Sequence, residues 1–542
     1  MHAPARLSRF LHAIGTTFTR PVAPDGPDWR IAAALFLLSL FLVQWQIGDR
    51  LLLSMDEGIY LEGALRVSQG QAPYRDFFTF TGPGAFWSYG AMLHLFGPTL
   101  SSARLLLAVE IAAMGGAVYW LTAVLAGTGL AASLGVLFVA FCLDSPGSLY
   151  ICHRWDSNTW ALVALVLACN GLAKARRAYW IASGACAAIA AWMTPPFVIV
   201  VAIIFAWIAW RRWWRTLGDY GVGVAAPSIA AVSVLLYQRA FTAMIQQLLW
   251  GVAHYGASNR VPYGYVPGNP LANFQGVNIL HALLRTGWLI EVLMPAVLPV
   301  MAYVGLVMLL CRRRKYPDRK KEVIILLVAF SAGVILASLP RLDVHQLLFL
   351  SPVFWILCGY VFFEALGSRW RWHLNATLVL VSLLMLISSI RQDRRFTEMV
   401  ETNAGRVRCT PDLAQLVSAL ESTIRPGDGL FVFPYLPILY FVTGGRNPSR
   451  LSFLQPGMMT DREEASVVAE LRAHPPHWML WAQFPPSLWT DNWPHINIAR
   501  LEFQSLDAFY QTNYQETLRI KLSGEPQLVL ACATPCSVAD RH

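Results

Sequence analysis

The chain has 542 residues, of which 56% belong to the hydrophobic set and only 14% are charged, and its mean hydropathy is +0.46. Soluble domains carry about 25% charged residues, so this composition excludes a soluble globular protein, along with the disordered, collagen-like and disulfide-scaffold classes. Apolar runs of roughly 20 residues recur up to about residue 390, the pattern of a polytopic α-helical membrane protein.

The formal charge of +10 is unevenly spread. From Arg391 onward there are 14 basic and 16 acidic residues, net −2, which leaves 28 and 16, net +12, in the hydrophobic part. That excess clusters in short loops between apolar runs, where Lys and Arg fix orientation. It is not a nucleic-acid surface.

Residues 1–30 carry Arg6, Arg9, Arg20 and Arg30 with no apolar core and cleavage site, which reads as an uncleaved cytoplasmic tail. The first span is expected over Ile31 to Ile47, with later ones centred near residues 112, 134, 165, 187, 203, 229, 298, 331, 356 and 382, eleven in all. A cytoplasmic N-terminus puts four basic clusters on one side: Lys174 to Arg177, Arg211 to Arg215, Arg312 to Lys321, and Arg369 with Arg371. The odd span number then places the region after Arg391 outside. The expected layout is a tail (1–30), a transmembrane domain (31–391) whose external loop 48–98 holds the active site, and an outer domain (392–542).

Residues 392–542 alternate helix-like stretches (Pro411 to Ile424, Glu463 to Ala473, Leu506 to Leu518) with strand-like ones (Gly429 to Phe433, Trp478 to Trp481, Gln527 to Ala533), as a small α/β domain does. The nine cysteines form no CxxC pair and no zinc spacing. A disulfide among Cys409, Cys532 and Cys536 stays open for an oxidising compartment. Small-residue stretches at Ala182 to Ala191 and Gly115-Gly116 suggest close helix packing. Gly221 to Ala226 superficially fits a dinucleotide fingerprint but lacks its strand and acidic residue.

The first outer loop opens with Ser54, Asp56 and Glu57 ahead of a helix-compatible stretch. Ser54 and Glu57 form a capping-box pattern. Capping does not require Asp56, which the helix macrodipole would keep ionised, as suits a carboxylate that accepts a hydrogen bond from a hydroxyl. Farther along, Arg75 and Asp76 either pair or act, and Ala85 to Phe96 is too short to span and is expected in the membrane interface.

The order Asp56-Glu57, Gly70-Gln71, Pro73 to Phe78, Pro83, Phe86-Trp87 and Leu95 to Gly97, followed by a span, resembles the first external loop of GT-C glycosyltransferases, in particular the bacterial aminoarabinose transferases and protein mannosyltransferases. The resemblance implies a multi-span transferase of the bacterial inner membrane that takes a hexose or pentose from a polyprenyl-phosphate donor, inverting the anomeric centre, with Asp56 as the catalytic carboxylate and Glu57 beside it. The acceptor, whether lipid, glycan or protein, is left open. Aminoarabinose transferases carry Lys-Pro-Pro in this loop; the matching positions here are Thr81-Gly82-Pro83, without the lysine.

A second outer loop offers His153, Arg154 and Asp156 before the fourth span, and the superfamily similarly has an acidic residue there, which makes Asp156 a catalytic candidate. Helix N-capping is its alternative reading. Asp56 with Asp156 could hold a divalent cation. Arg341 and His345, between the ninth and tenth spans, are candidate ligands of the donor phosphate, with His153, Arg154, Arg75 and Arg260 as further ones. In the outer domain Tyr435, Arg446 and Arg450 either face the acceptor or pack the domain on the membrane part. Glu110, deep in the second span, is the best argument for the rival class, a proton-coupled transporter or lipid flippase.

Overall fold

The structure, a computed structural model, describes residues 27–145, 149–268, 270, 279–311, 317–455, 457–495, 503–522 and 526–535. Most of the N-terminal tail, the cluster from Arg312 to Lys315 and Cys536 lie outside the described residues, as does the Arg369 side chain.

Fourteen helices run in order through the described part of the N-terminal region: α1 (Trp29–Ile47), α2 (Met55–Ser68), α3 (Gly84–Phe96), α4 (Leu100–Ala126), α5 (Thr128–Asp144), α6 (His153–Lys174), α7 (Arg177–Met193), α8 (Val198–Trp210), α9 (Trp214–Tyr237), α10 (Phe241–Ser258), α11 (Ile279–Cys311), α12 (Asp318–Ser338), α13 (Val344–Ala365) and α14 (Ser368–Asp393). Each of the eleven expected span centres falls within a helix. Among the described residues seven helices are long and apolar enough to cross a membrane, and α5 is a shorter apolar helix of the same character.

Helix α4 is the central post, buried along most of its length. The stretch Ala182 to Ala191 does pack helices closely: a Cβ on Gly184 of α7 would lie 2.2 Å from the Tyr220 carbonyl oxygen of α9, and one on Gly223 would lie 2.0 Å from that of Ile181; at Gly115-Gly116 only Gly115 meets a neighbour, the Val139 side chain of α5. Gly221 to Ala226 is thus a helix contact. Helix α3 buries Ala85, Phe86, Tyr89, Gly90 and Leu93 and leaves Leu95 and Phe96 exposed, as an interfacial helix does.

The C-terminal region begins with an antiparallel hairpin of β1 (Glu398–Thr402) and β2 (Gly405–Cys409), which the sequence pattern did not announce. It continues as α15 (Pro411–Thr423), β3 (Leu430–Phe433), α16 (Ile438–Thr443), α17 (Asp461–Ala473), β4 (Trp478–Gln483), α18 (Pro486–Asn492), α19 (Gln504–Asn513), β5 (Tyr514–Lys521) and β6 (Gln527–Ala533). The sheet order is β3-β4-β6-β5, with β3 and β4 parallel and the rest antiparallel. The helix expected over Leu506 to Leu518 stops at Asn513, and the following residues pair with β6 as an edge strand. Of the cysteines left open, Cys409 is free and buried, and Cys532 is disulfide-bonded to a residue outside the described set.

One buried ion pair ties the entrance of this fold together. Glu57, fully buried on α2, receives bonds from Arg104 of α4, Nε at 2.9 Å and Nη2 at 2.6 Å, while Arg104 Nη1 donates to the carbonyls of Ile47 and Arg50. Glu57 Oε1 also accepts from the Ile151 backbone N–H in the second loop at 3.2 Å. Half of the expected capping box is present: Ser54 caps the Glu57 N–H, but the Glu57 side chain turns inward to Arg104 instead of back to Ser54.

Breaking a buried pair from one side leaves an uncompensated charge and costs about 3–5 kcal/mol. Arg104→Leu and Glu57→Leu are each expected to lower the unfolding midpoint of the solubilised protein sharply, and the double variant by less than the sum. Additive losses would show that the two side chains are not coupled.

Candidate functional site

A cavity of about 550 Å³ lies between the helical region and the C-terminal domain. Polar walls come from several stretches of chain, among them Asp56 and Tyr60 from α2, Tyr150, His153 and Arg154 from the second loop and the start of α6, Arg341 from the link before α13 and His345 from its first turn, and Tyr435, Gln455 and Trp493 from the C-terminal domain. Of the residues expected from sequence to act, the cavity gathers Asp56, His153, Arg154, Arg341, His345 and Tyr435.

Asp56 is held on both carboxylate oxygens. The Tyr435 hydroxyl donates to Oδ1 at 2.8 Å and the Tyr150 hydroxyl to Oδ2 at 3.4 Å. Burial, and next the Asp56 charge, push both phenols well above their ordinary pKa, so they remain neutral donors. Tyr60, one turn along the same helix, is likewise kept protonated, mainly by burial. It lies against Phe86 and 5.6 Å from the His153 ring.

The cations differ from one another. Arg341 is committed: Nε donates to Asp343 at 2.5 Å, Nη1 to the Asn259 side chain at 3.1 Å, and the guanidinium lies over Trp493. Burial works against its charge, but Asp343 and other neighbours lift its pKa above the ordinary value. Arg154 hydrogen-bonds the Tyr255 hydroxyl and has no carboxylate partner among the described residues. A half-buried guanidinium with an uncompensated charge on a cavity wall is an anion site in waiting. His153 is fixed beside it, Nδ1 lying 2.7 Å from Thr194 Oγ1.

Six expected site residues point elsewhere. Glu57 is consumed by Arg104 and does not line the cavity. Asp156 is fully buried behind it, accepting from Tyr89 at 3.0 Å, with Glu110 at 3.4 Å from the same hydroxyl. Arg75 pairs with Asp76 at 2.7 Å on the surface and donates to the Gln238 carbonyl. Arg260 and Arg446 are exposed and outside the cavity lining. Arg450 is a docking residue: its Nη2 donates to the Tyr74 carbonyl at 2.9 Å. A cation bridging Asp56 and Asp156 is not assembled, because only Asp56 faces the cavity, and among the described residues no group of three His, Cys, Asp or Glu could hold a metal.

Sequence reasoning missed Tyr60, Tyr150, Tyr255, Asn259 and Trp493. Only Tyr60 carried a readable signal, its four-residue spacing from Asp56 on one helix face. At the position of the lysine in the related loop, Thr81 lines the cavity, its carbonyl accepting from the Tyr74 hydroxyl at 2.5 Å.

Domain docking depends on α2. A Cβ on Gly58 would sit 2.1 Å from the Ile438 backbone N, so only glycine lets the start of α16 reach the helix. At the other end Arg66, paired with Glu62, donates to the carbonyls of Asn447 and Ser449.

No protein-family model matches the chain, and no curated protein sequence does. Among solved structures, the fold is similar to that of ArnT from Cupriavidus metallidurans bound to undecaprenyl phosphate, with a TM-score of 0.57, 11% identity, and 92% of this chain and 97% of that one covered. The apo state of the same protein gives a TM-score of 0.52 at 12% identity with the same coverage. The chain thus shares the overall fold of that protein.

Gly58→Ala forces Ile438 away and is expected to cost about 1–3 kcal/mol. Limited proteolysis should cut the segment after Asp393 earlier in this variant than in the parent. Parent-like cleavage would mean that the domain is held elsewhere.

Proposed function

We propose that the protein is an inverting glycosyltransferase that moves a hexose or pentose from a polyprenyl-phosphate donor to an acceptor hydroxyl at the outer face of the bacterial inner membrane. In this reading residues 1–30 are cytoplasmic, 31–391 form the transmembrane part, and 392–542 lie outside. The acceptor is a lipid, a glycan or a protein. The observation that carries the reading is a guanidinium without a carboxylate partner among the described residues, Arg154, lining the same cavity as the carboxylate Asp56, in a fold built on apolar helices.

Each step follows from the groups present. Each oxygen of Asp56 has a second lone pair beyond the one used by a tyrosine, and it accepts a hydrogen bond from the acceptor hydroxyl. That hydroxyl attacks the anomeric carbon as the lipid phosphate departs from the opposite side, so the configuration inverts. Negative charge grows on the bridging oxygen and is met by Arg154, with Arg341, His345 and His153 in support. Asp56 takes the proton. A divalent cation would have Asp56 as its only unpaired carboxylate among the cavity-lining residues, since Asp343 is committed to Arg341.

The rival reading, a proton-coupled transporter or flippase, drew on Glu110. That residue is enclosed with Asp156 and Tyr89 between helices and does not line the cavity, whose own polar groups gather where the helices meet the C-terminal domain. Both features favour a transferase.

Purified protein incubated with a panel of polyprenyl-phosphate sugars should release free polyprenyl phosphate from at least one of them. No release from any donor sinks the proposal. Asp56→Asn should cut turnover by about 10²-fold or more while the donor still binds. Arg154→Ala should weaken donor binding by about 10- to 100-fold, the value of a charge-assisted bond, and parent-like binding would remove Arg154 from the phosphate.

A further inference from the structure

We infer that Tyr435 and Tyr150 are positioning residues for the Asp56 carboxylate, and that the C-terminal domain, by supplying Tyr435, completes the active site. The inference rests on the transferase reading above and adds to it a requirement for the second domain.

The torsion that orients an aspartate carboxylate is broad and roughly twofold. Left alone at a cavity wall, Asp56 would present its lone pairs over a wide range of directions. One hydroxyl on each oxygen, at 2.8 Å from Tyr435 and 3.4 Å from Tyr150, removes that freedom. What remains on each oxygen is a single lone-pair direction for an incoming hydroxyl. Water is a poor substitute for these donors, because the Tyr435 ring is 4% exposed and packs 5.0 Å from Phe453 and 6.5 Å from Trp493.

The placement of Tyr435 is determined by the same helix that carries Asp56. Tyr435 lies in the short link between β3 and α16, and α16 begins against Gly58, two residues beyond Asp56. The closest backbone approach between the domains therefore coincides with the hydrogen bond to the carboxylate. Tyr150 arrives independently, one residue before Ile151, whose N–H is anchored on Glu57. Two anchors on α2, Glu57 and Gly58 directly after Asp56, thus deliver the two phenols.

Tyr435→Phe keeps the ring and its packing and deletes only the donated bond; Tyr150→Phe does the same from the other side. Infrared difference spectra of the full-length protein, with the Asp56 carboxylate bands identified by their loss in Asp56→Asn, should show those bands displaced in both variants and more so in Tyr435→Phe. With a donor that the parent protein turns over, kcat should fall about tenfold in Tyr435→Phe and about a hundredfold in the double variant, with donor KM and the unfolding midpoint near the parent values. Carboxylate bands at the parent position in both single variants overturn the inference. So does parent-like kcat in both. If the parent releases lipid phosphate from no donor, the transferase reading fails, and the band positions alone decide whether the tyrosines hold Asp56.

Discussion

The fully buried contact between Arg104 and Glu57 is the constraint from which the site follows. Two ions taken out of water are tolerated only when their remaining hydrogen-bonding capacity is filled. Here it is: the guanidinium also serves the carbonyls closing α1, and the carboxylate also accepts the N–H of Ile151. One point therefore fixes the end of α1, the first turn of α2, the middle of the bundle through α4 and the second loop. Asp56 is the neighbour of Glu57 in sequence, and Tyr150 to Arg154 follow from where Ile151 is pinned. Asp56 and Arg154, which line the same cavity, thus take their positions from a pair that does not line it.

This arrangement explains which residues could be read in advance. The helical part, the small α/β domain and the position of Asp56 at a helix start were legible because apolar periodicity and a capping serine are local signals. Neighbouring acids were harder to assign. Successive residues on a helix point about 100° apart, and residues two apart about 200°, so Asp56 and Glu57 diverge, as do Arg154 and Asp156. In each pair one side chain meets the cavity and the other the interior, and composition alone does not say which. The partners that complete the walls, Tyr150, Tyr255 with Asn259, and Trp493, come from three segments far apart in the chain and are brought together by docking. Nothing local marks them. The overrun of the last helix past Asn513 has a similar origin, since pairing with β6 draws Tyr514–Lys521 into an edge strand.

The distribution of charge bears on the kind of chemistry the cavity suits. Carboxylates buried among the helices are either paired, as Glu57 is, or enclosed together, as Glu110 and Asp156 are around one tyrosine hydroxyl. Ion-translocating proteins instead place ionisable groups on a path through the bundle. In the cavity itself Asp343 neutralises Arg341, so the local excess comes from Asp56 and Arg154, one of each sign. That is the charge pattern wanted by a displacement in which a hydroxyl loses a proton on one side while a phosphate gains charge on the other.

A cavity built at a junction also sets a demand on the fold around it. Its lower wall is carried by helices that apolar burial fixes, while the roof residues Tyr435, Phe453 and Trp493 belong to a second hydrophobic cluster, against which Met55, Ile59, Phe80 and Trp250 of the helical part pack. The main core itself runs from the helices into the C-terminal domain, and polar contacts add direction to that apolar packing: Arg66 on the carbonyls of Asn447 and Ser449, Arg450 on that of Tyr74, and Trp493 on the Asn259 side chain. Hydrogen bonds are directional where apolar contact is not. A domain held by carbonyl-directed bonds at several points, with a glycine allowing its backbone to touch α2, is located to within the tolerance of a hydrogen bond. Contact with Asp56 through a single phenol requires that tolerance.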